Sequence, residues 1–153
     1  TTRPKREGEQ SGKDYFFLTQ KDFEDKKQRG DFLESAEVFG QMYGTSKEFI
    51  EKKQKEGKHV VLVIDTQGAL SLQSMGIKAC YIFIAPPSFE VLKHRLVQRN
   101  TEDKLECQKR LSWAHKEMDL SLSYDYFIVN SELEVAYEVL KSILIAEEHR
   151  TGQ

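Results

Sequence analysis

His59-Val60-Val61-Leu62-Val63-Ile64-Asp65 is an unbroken apolar run closed by an acid. Continuous apolarity, as opposed to alternation, predicts a strand buried on both faces, as in a parallel sheet. Cys80-Tyr81-Ile82-Phe83-Ile84-Ala85 and Tyr126-Phe127-Ile128-Val129 repeat the signature downstream. Amphipathic segments fill the intervals, predicting helices over residues 67–75, 88–98, 103–120 and 132–148. Strands alternating with helices imply an α/β fold, a parallel sheet flanked by helices on both faces. Ligands of such sheets sit at the carboxyl ends of the strands, where Asp65, Pro86-Pro87-Ser88 and Asn130 lie.

Upstream of residue 59 the texture is polar, aromatic and interrupted by glycines. Asp14-Tyr15-Phe16-Phe17-Leu18 and Phe32-Leu33-Glu34-Ser35-Ala36-Glu37-Val38-Phe39 read as strands. Thr19 can cap a helix that runs through Phe23 to Arg29 and ends at Gly30. A second helix is expected from Ser46 to Glu56, stopped by Gly57.

The 153 residues make one ordinary domain, with a net charge of −2 and 31% charged residues. That balance argues against a nucleic-acid coat or a polybasic membrane patch. Apolar runs such as residues 60–64 are far too short to span a bilayer. Cys80 and Cys107 read as reduced thiols of a cytoplasmic protein and not as a disulfide framework.

Three constellations can carry chemistry. Arg3 and Arg6, stiffened by Pro4, can grip a phosphate with the hydroxyls of Tyr15 and Tyr43; the alternative is a solvated basic turn paired with Glu7 and Glu9. Arg95 and Arg99 lie one helical turn apart, and Arg110 follows on the next helix beyond Asn100-Thr101. Arginines on two hinged helices suit a lid closing on a polyphosphate, or else form a charged hairpin balanced by Glu102, Asp103 and Glu106. Asp65-Thr66-Gln67-Gly68 can hold magnesium through water beside a close backbone approach to phosphate. Asp65 or Thr66 can equally cap a helix there, and the two roles are compatible.

Other chemistries find little support. Gly8-Glu9-Gln10-Ser11-Gly12-Lys13-Asp14 is one residue short of a phosphate-binding loop and ends in Asp14 where Ser or Thr is needed. No G-x-x-x-x-G-K-[ST] occurs anywhere in the chain. His59, His94, His115 and His149 lack metal spacing, and no G-x-S-x-G elbow is present.

Taken together, Thr1-Thr2-Arg3-Pro4-Lys5-Arg6-Glu7-Gly8-Glu9, Gly12-Lys13-Asp14-Tyr15-Phe16-Phe17, Gly30-Asp31-Phe32-Leu33-Glu34, Tyr43-Gly44-Thr45, Ile64-Asp65-Thr66-Gln67-Gly68-Ala69, Ile84-Ala85-Pro86-Pro87-Ser88 and Tyr124-Asp125-Tyr126-Phe127-Ile128-Val129-Asn130 resemble the guanylate kinases in order and spacing. The resemblance covers essentially the whole chain. It implies a P-loop NTPase-like sheet, with a small mixed α+β GMP-binding subdomain over 1–58, a core over 59–98 and 121–153, and a helical lid over 99–120. It also implies transfer of the γ-phosphoryl group of Mg-ATP to GMP in purine metabolism, with no nucleic-acid or membrane partner.

By that resemblance, Arg3, Arg6, Tyr15 and Tyr43 hold the GMP phosphate, while Glu34 and Thr45 read guanine. Asp65 supports the water shell of Mg2+, and Arg95, Arg99 and Arg110 are catalytic, neutralising charge on the transferred group. Asn130, with Arg95 and Arg99, serves ATP. Two features depart from the family. Val63 stands where an acid near the nucleobase is usual, and the family's phosphate-binding loop, which precedes the Thr-Thr-Arg motif, is not in this sequence. The expectation is a guanylate kinase fragment with little activity by itself. The alternative is a catalytically silent guanylate-kinase-like module that binds proteins.

Overall fold

A computed structural model describes residues 1–98 and 104–151. The chain divides into two compact units, Thr1–Ile77 and Lys78–Gln153. The first contains α1 (Gln20–Gln28), β1 (Phe32–Val38), β2 (Gln41–Ser46), α2 (Lys47–Lys55) and α3 (Thr66–Ser74). The second contains β3 (Ile82–Ala85), α4 (Phe89–Gln98), α5 (Lys104–Leu120), a 3-10 turn (Ser121–Ser123), β4 (Tyr126–Val129) and α6 (Leu133–Glu148).

Helix ends follow local chemistry. Thr19 caps α1 by accepting from the Asp22 N–H at 3.1 Å, and Ser46 caps α2 by accepting from Phe49 N–H at 3.3 Å. Gly30 and Gly57 follow the last turns with positive φ, as the sequence predicts.

In the first unit β1 and β2 form an antiparallel hairpin. The expected strand through Phe39 stops at Val38, because Phe39 and Gly40 both take positive φ, 50° and 77°, and make the two-residue turn. Such turns match the twist of the flanking strands. The strand that follows, β2, is an element the sequence reading did not anticipate.

The register shift between Phe32 and Glu34 breaks the two-residue alternation of β1, so the two residues lie on different faces of the hairpin. Phe32 stacks on Phe23 of α1 with ring centroids 4.6 Å apart, and Phe23 is fully buried. Gly44 packs against the same two rings. Glu34 and Ala36 face the other way, opposite Thr45 and Tyr43 respectively.

Two expected strands are corrected. Residues 14–18 form no strand, although Leu18 N–H donates to Thr1 O and the Thr1 amine donates to Phe16 O, both at 2.9 Å. Residues 59–65 likewise carry no ladder. Leu62 and Ile64 are half-buried, whereas Val61 and Val63 are exposed. Apolar continuity states a preference for burial on both faces. A strand also requires neighbours to bond its backbone, and no described segment pairs with this one.

In the second unit β3 and β4 pair in parallel, Ile82 opposite Tyr126 through Ala85 opposite Val129. The α6 helix covers β4 through Ile128, Ala136 and Ile143, with Cys80, Ile82, Tyr126 and Leu140 around them. Burial of this kind stabilises by roughly 25 cal/mol per Å² of apolar surface. Cys80 is a free thiol whose pKa burial pushes up, and the Cys107 side chain lies outside the described residues. Among the described residues no helix is long and apolar enough to cross a membrane.

Candidate functional site

The hairpin register creates the site. A cavity of about 310 Å³ in the first unit is lined by Tyr15, Glu34, Tyr43, Thr45 and Asp65, with Ala36, Val38, Gly44 and residues 61–64 completing its wall. Thus five of the residues singled out in the sequence converge on one concavity. Its mix of apolar wall and a few convergent polar groups is what a small-molecule site requires.

Glu34 is the buried charge of the cavity, 6% exposed. Its Oε1 accepts from the Thr45 hydroxyl at 2.5 Å, a contact set by the cross-strand pairing of the two residues. Burial pushes the Glu34 carboxyl up; the Thr45 hydroxyl partly offsets this, and the charge of Asp65 adds to it.

Asp65 caps α3, its Oδ1 accepting from Gly68 N–H at 3.0 Å and its Oδ2 from Gln67 Nε2 at 3.0 Å. The capping role is therefore realised. Each carboxylate oxygen has more than one acceptor site and so retains capacity beyond these bonds, the chemistry that suits a magnesium ion held through water. Among the described residues no group of three or more His, Cys, Asp or Glu is placed to hold a metal directly.

The space beside Gly68 is taken by protein. A Cβ there would lie 2.8 Å from Glu34 Oε2, so the glycine makes room for this carboxylate. From the sequence alone, a phosphate is the expected neighbour of that glycine. Gly68 signals a close approach, but its neighbour depends on how α3 meets β1.

The N-terminal segment is fixed to β2. Thr2 N–H donates to Met42 O at 2.9 Å, Thr1 Oγ1 donates to the same oxygen at 2.8 Å, and Met42 N–H donates to Thr2 Oγ1 at 2.8 Å. Arg3 follows, its guanidinium 5.4 Å from the Tyr15 ring centre and 5.7 Å from that of Phe17. Tyr15 and Tyr43 meet edge to face at 6.1 Å. Arg3 also pairs with Glu9 at 2.7 Å. The expected ion pair of a basic turn is thus present, but it is half-buried and its arginine lies beside the cavity's tyrosines. Arg6 is exposed and does not line the cavity.

The remaining sequence-predicted residues belong to the second unit. Arg95 on α4 spreads its fork over two carbonyls, Nη1 donating to Asn130 O at 2.9 Å and Nη2 to Ser131 O at 3.2 Å. It therefore holds the turn after β4, and Asn130 N–H donates to Ala85 O at 2.7 Å. Arg110 is half-buried on α5. Arg99 and the expected break at Asn100-Thr101 lie outside the described residues.

An antiparallel hairpin beside a polar-lined cavity in one unit and a parallel strand pair joined through helices in the other make an α/β protein. The sequence profile described as guanylate kinase matches residues 1–147, and the chain belongs to that family. It is 51% identical over 153 residues to the guanylate kinase of Protochlamydia amoebophila, covering 100% of this chain and 77% of that one. Against the guanylate kinase of Thermotoga maritima it is 45% identical over 147 residues, covering 96% and 71%. The crystal structure of guanylate kinase from Anaplasma phagocytophilum superposes with a TM-score of 0.82 at 36% identity, covering 98% of this chain and 73% of that one.

Proposed function

We propose that this chain carries the acceptor site of a guanylate kinase, binding GMP in the first-unit cavity for phosphorylation by ATP in purine nucleotide metabolism. The observation that carries this reading is the Glu34–Thr45 pair inside a cavity that also holds Tyr15 and Tyr43. A carboxylate accepts from N1–H and the 2-amino group of guanine, and the Thr45 hydroxyl can turn from Glu34 to O6. Adenine lacks that edge and would leave Glu34 unsatisfied. Arg3, Arg6, Tyr15 and Tyr43 are assigned to the phosphate, whose dianion suits cationic forks and hydroxyl donors.

We assign Arg95, Arg99 and Asn130 to ATP, and Arg95, Arg99 and Arg110 to charge on the transferred group. To reach a phosphate, Arg95 has to leave the Asn130 and Ser131 carbonyls. Asp65 would hold magnesium through water, and the bound ion would neutralise phosphate charge. The corresponding division is a GMP-binding subdomain over 1–58, a core over 59–98 and 121–153, and a lid over 99–120. Because the sequence contains no G-x-x-x-x-G-K-[ST], acceptor binding with little turnover is expected of the 153-residue chain.

Calorimetric titration tests the reading. GMP is expected to bind on the order of 100-fold more tightly than AMP. Equal affinities, or no GMP binding, would remove the assignment. A second expectation concerns Gly68→Ala. The added Cβ collides with the end of the Glu34 side chain, which has to yield, and the fold loses about 1–3 kcal/mol. GMP affinity falls about tenfold, through loss of one well-placed charged hydrogen bond. Unchanged GMP affinity in this variant would show that the position of Glu34 is irrelevant to binding.

A further inference from the structure

Glu9 uses both carboxylate oxygens within the arginine loop. Oε1 accepts from Arg3 Nη2 at 2.7 Å, and Oε2 accepts from the Arg6 backbone N–H at 2.7 Å. The Glu9 N–H donates back to Arg6 O at 3.2 Å, closing a turn in which Gly8 takes a φ of 84°. The Arg3 and Glu9 side chains are only 12% and 19% exposed. Arg3 Nη1 is held in turn by Pro4 O at 2.8 Å.

A free arginine samples many rotamers, and ordering one on binding costs up to about tenfold in affinity. Here the guanidinium is already fixed against Tyr15 and Phe17, beside the Tyr43 hydroxyl, and its five N–H groups exceed the partners that hold it. We propose that Glu9 is a positioning residue for the acceptor phosphate: it presets the Arg3 fork and the Arg6 turn without touching the nucleotide. The inference rests on the GMP reading above. Glu9 is negative, and an unpaired carboxylate there would repel a phosphate. Its engagement with the guanidinium and the Arg6 N–H makes the presetting effect the larger one. The same partners hold its carboxyl below the usual carboxylate range, Arg3 foremost.

The test compares GMP with guanosine by calorimetry on the full chain, in wild type, Glu9→Ala and Glu9→Gln, with circular dichroism to establish folding. Wild type is expected to prefer GMP. Glu9→Ala loses about tenfold in GMP affinity while guanosine binding stays the same, since the effect travels through the phosphate contacts. Glu9→Gln, whose amide oxygen keeps one of the two acceptor contacts, loses about threefold. Equal losses for GMP and guanosine mean a merely structural role and overturn the proposal, as does unchanged or tighter GMP binding. Should Glu9→Ala fail to fold, the GMP-to-guanosine ratio of Glu9→Gln decides by the same criteria. A wild type that binds neither ligand, or both alike, removes the phosphate-site reading itself and the Glu9 role with it. A wild-type preference with indifferent variants removes Glu9 alone.

Discussion

Glu34→Gln is expected to weaken GMP binding by about 30- to 100-fold and, at neutral pH, to raise the melting temperature. The two effects have one origin. Guanine offers two donors, N1–H and the 2-amino group, to a carboxylate with two acceptors. A glutamine amide presents one acceptor and one donor group, so one pairing becomes donor against donor. Hydrogen bonds to charged groups contribute about 1.5–3 kcal/mol, which sets the size of the loss. Without ligand the same carboxylate is a buried charge, and burial raises its pKa, with Asp65 contributing in the same direction. A group whose folded pKa exceeds its unfolded value contributes stability below the unfolded pKa, and loses it as pH rises through the folded pKa. At neutral pH wild type therefore carries a penalty that Glu34→Gln does not. The difference in melting temperature should shrink as pH is lowered toward the ordinary carboxylate range of about 4. GMP binding by wild type should weaken over the same descent, because protonation removes an acceptor. Thermal melts and titrations between about pH 4 and pH 8 measure both. A variant that melts no higher than wild type at neutral pH would contradict the buried-charge account, and one that binds GMP normally would contradict guanine recognition by Glu34.

The legibility of this site in the sequence was uneven, for physical reasons. Tyr15, Glu34, Tyr43, Thr45 and Asp65 were named from motifs, and they line one cavity because strand register converts sequence spacing into facing pairs. Caps were equally readable, since Thr19, Ser46 and Asp65 each act within one helical turn of themselves. The parallel pairing of β3 with β4 was implied by continuous apolarity. The same signal over-read residues 59–65, because hydrophobicity specifies a preference for burial but not a backbone partner. The β2 strand went unseen because Gly44 and the hydroxyl residues around it weaken a strand pattern. The Glu9 fork and the contact between Gly68 and Glu34 arise from tertiary geometry. A sequence shows that a glycine or an acid is present, and not which side chain arrives beside it.

The other large effect is expected away from the ligand. Phe23→Ala should cost about 3–5 kcal/mol, a substantial share of the roughly 5–15 kcal/mol that holds a domain folded. Phe23 is the largest fully buried side chain among the described residues, stacked on Phe32, and a Cβ on Gly44 would come within 3.2 Å of its ring. Its removal leaves a cavity that α1 and the hairpin cannot close without moving. Gly44 sits between Tyr43 and Thr45, so the face packed on Phe23 and the face lining the cavity share one strand. Loosening the packed face should therefore also weaken GMP binding, although Phe23 does not line the cavity. Phe16→Ala is the matched control. Its ring is 56% exposed, in edge contact with Phe49, and its loss should cost under about 1 kcal/mol. Urea unfolding of the two variants measures the contrast. Comparable losses would mean that the α1–hairpin layer is not where stability resides. A destabilised Phe23→Ala with unaltered GMP affinity would instead uncouple the two faces of β2.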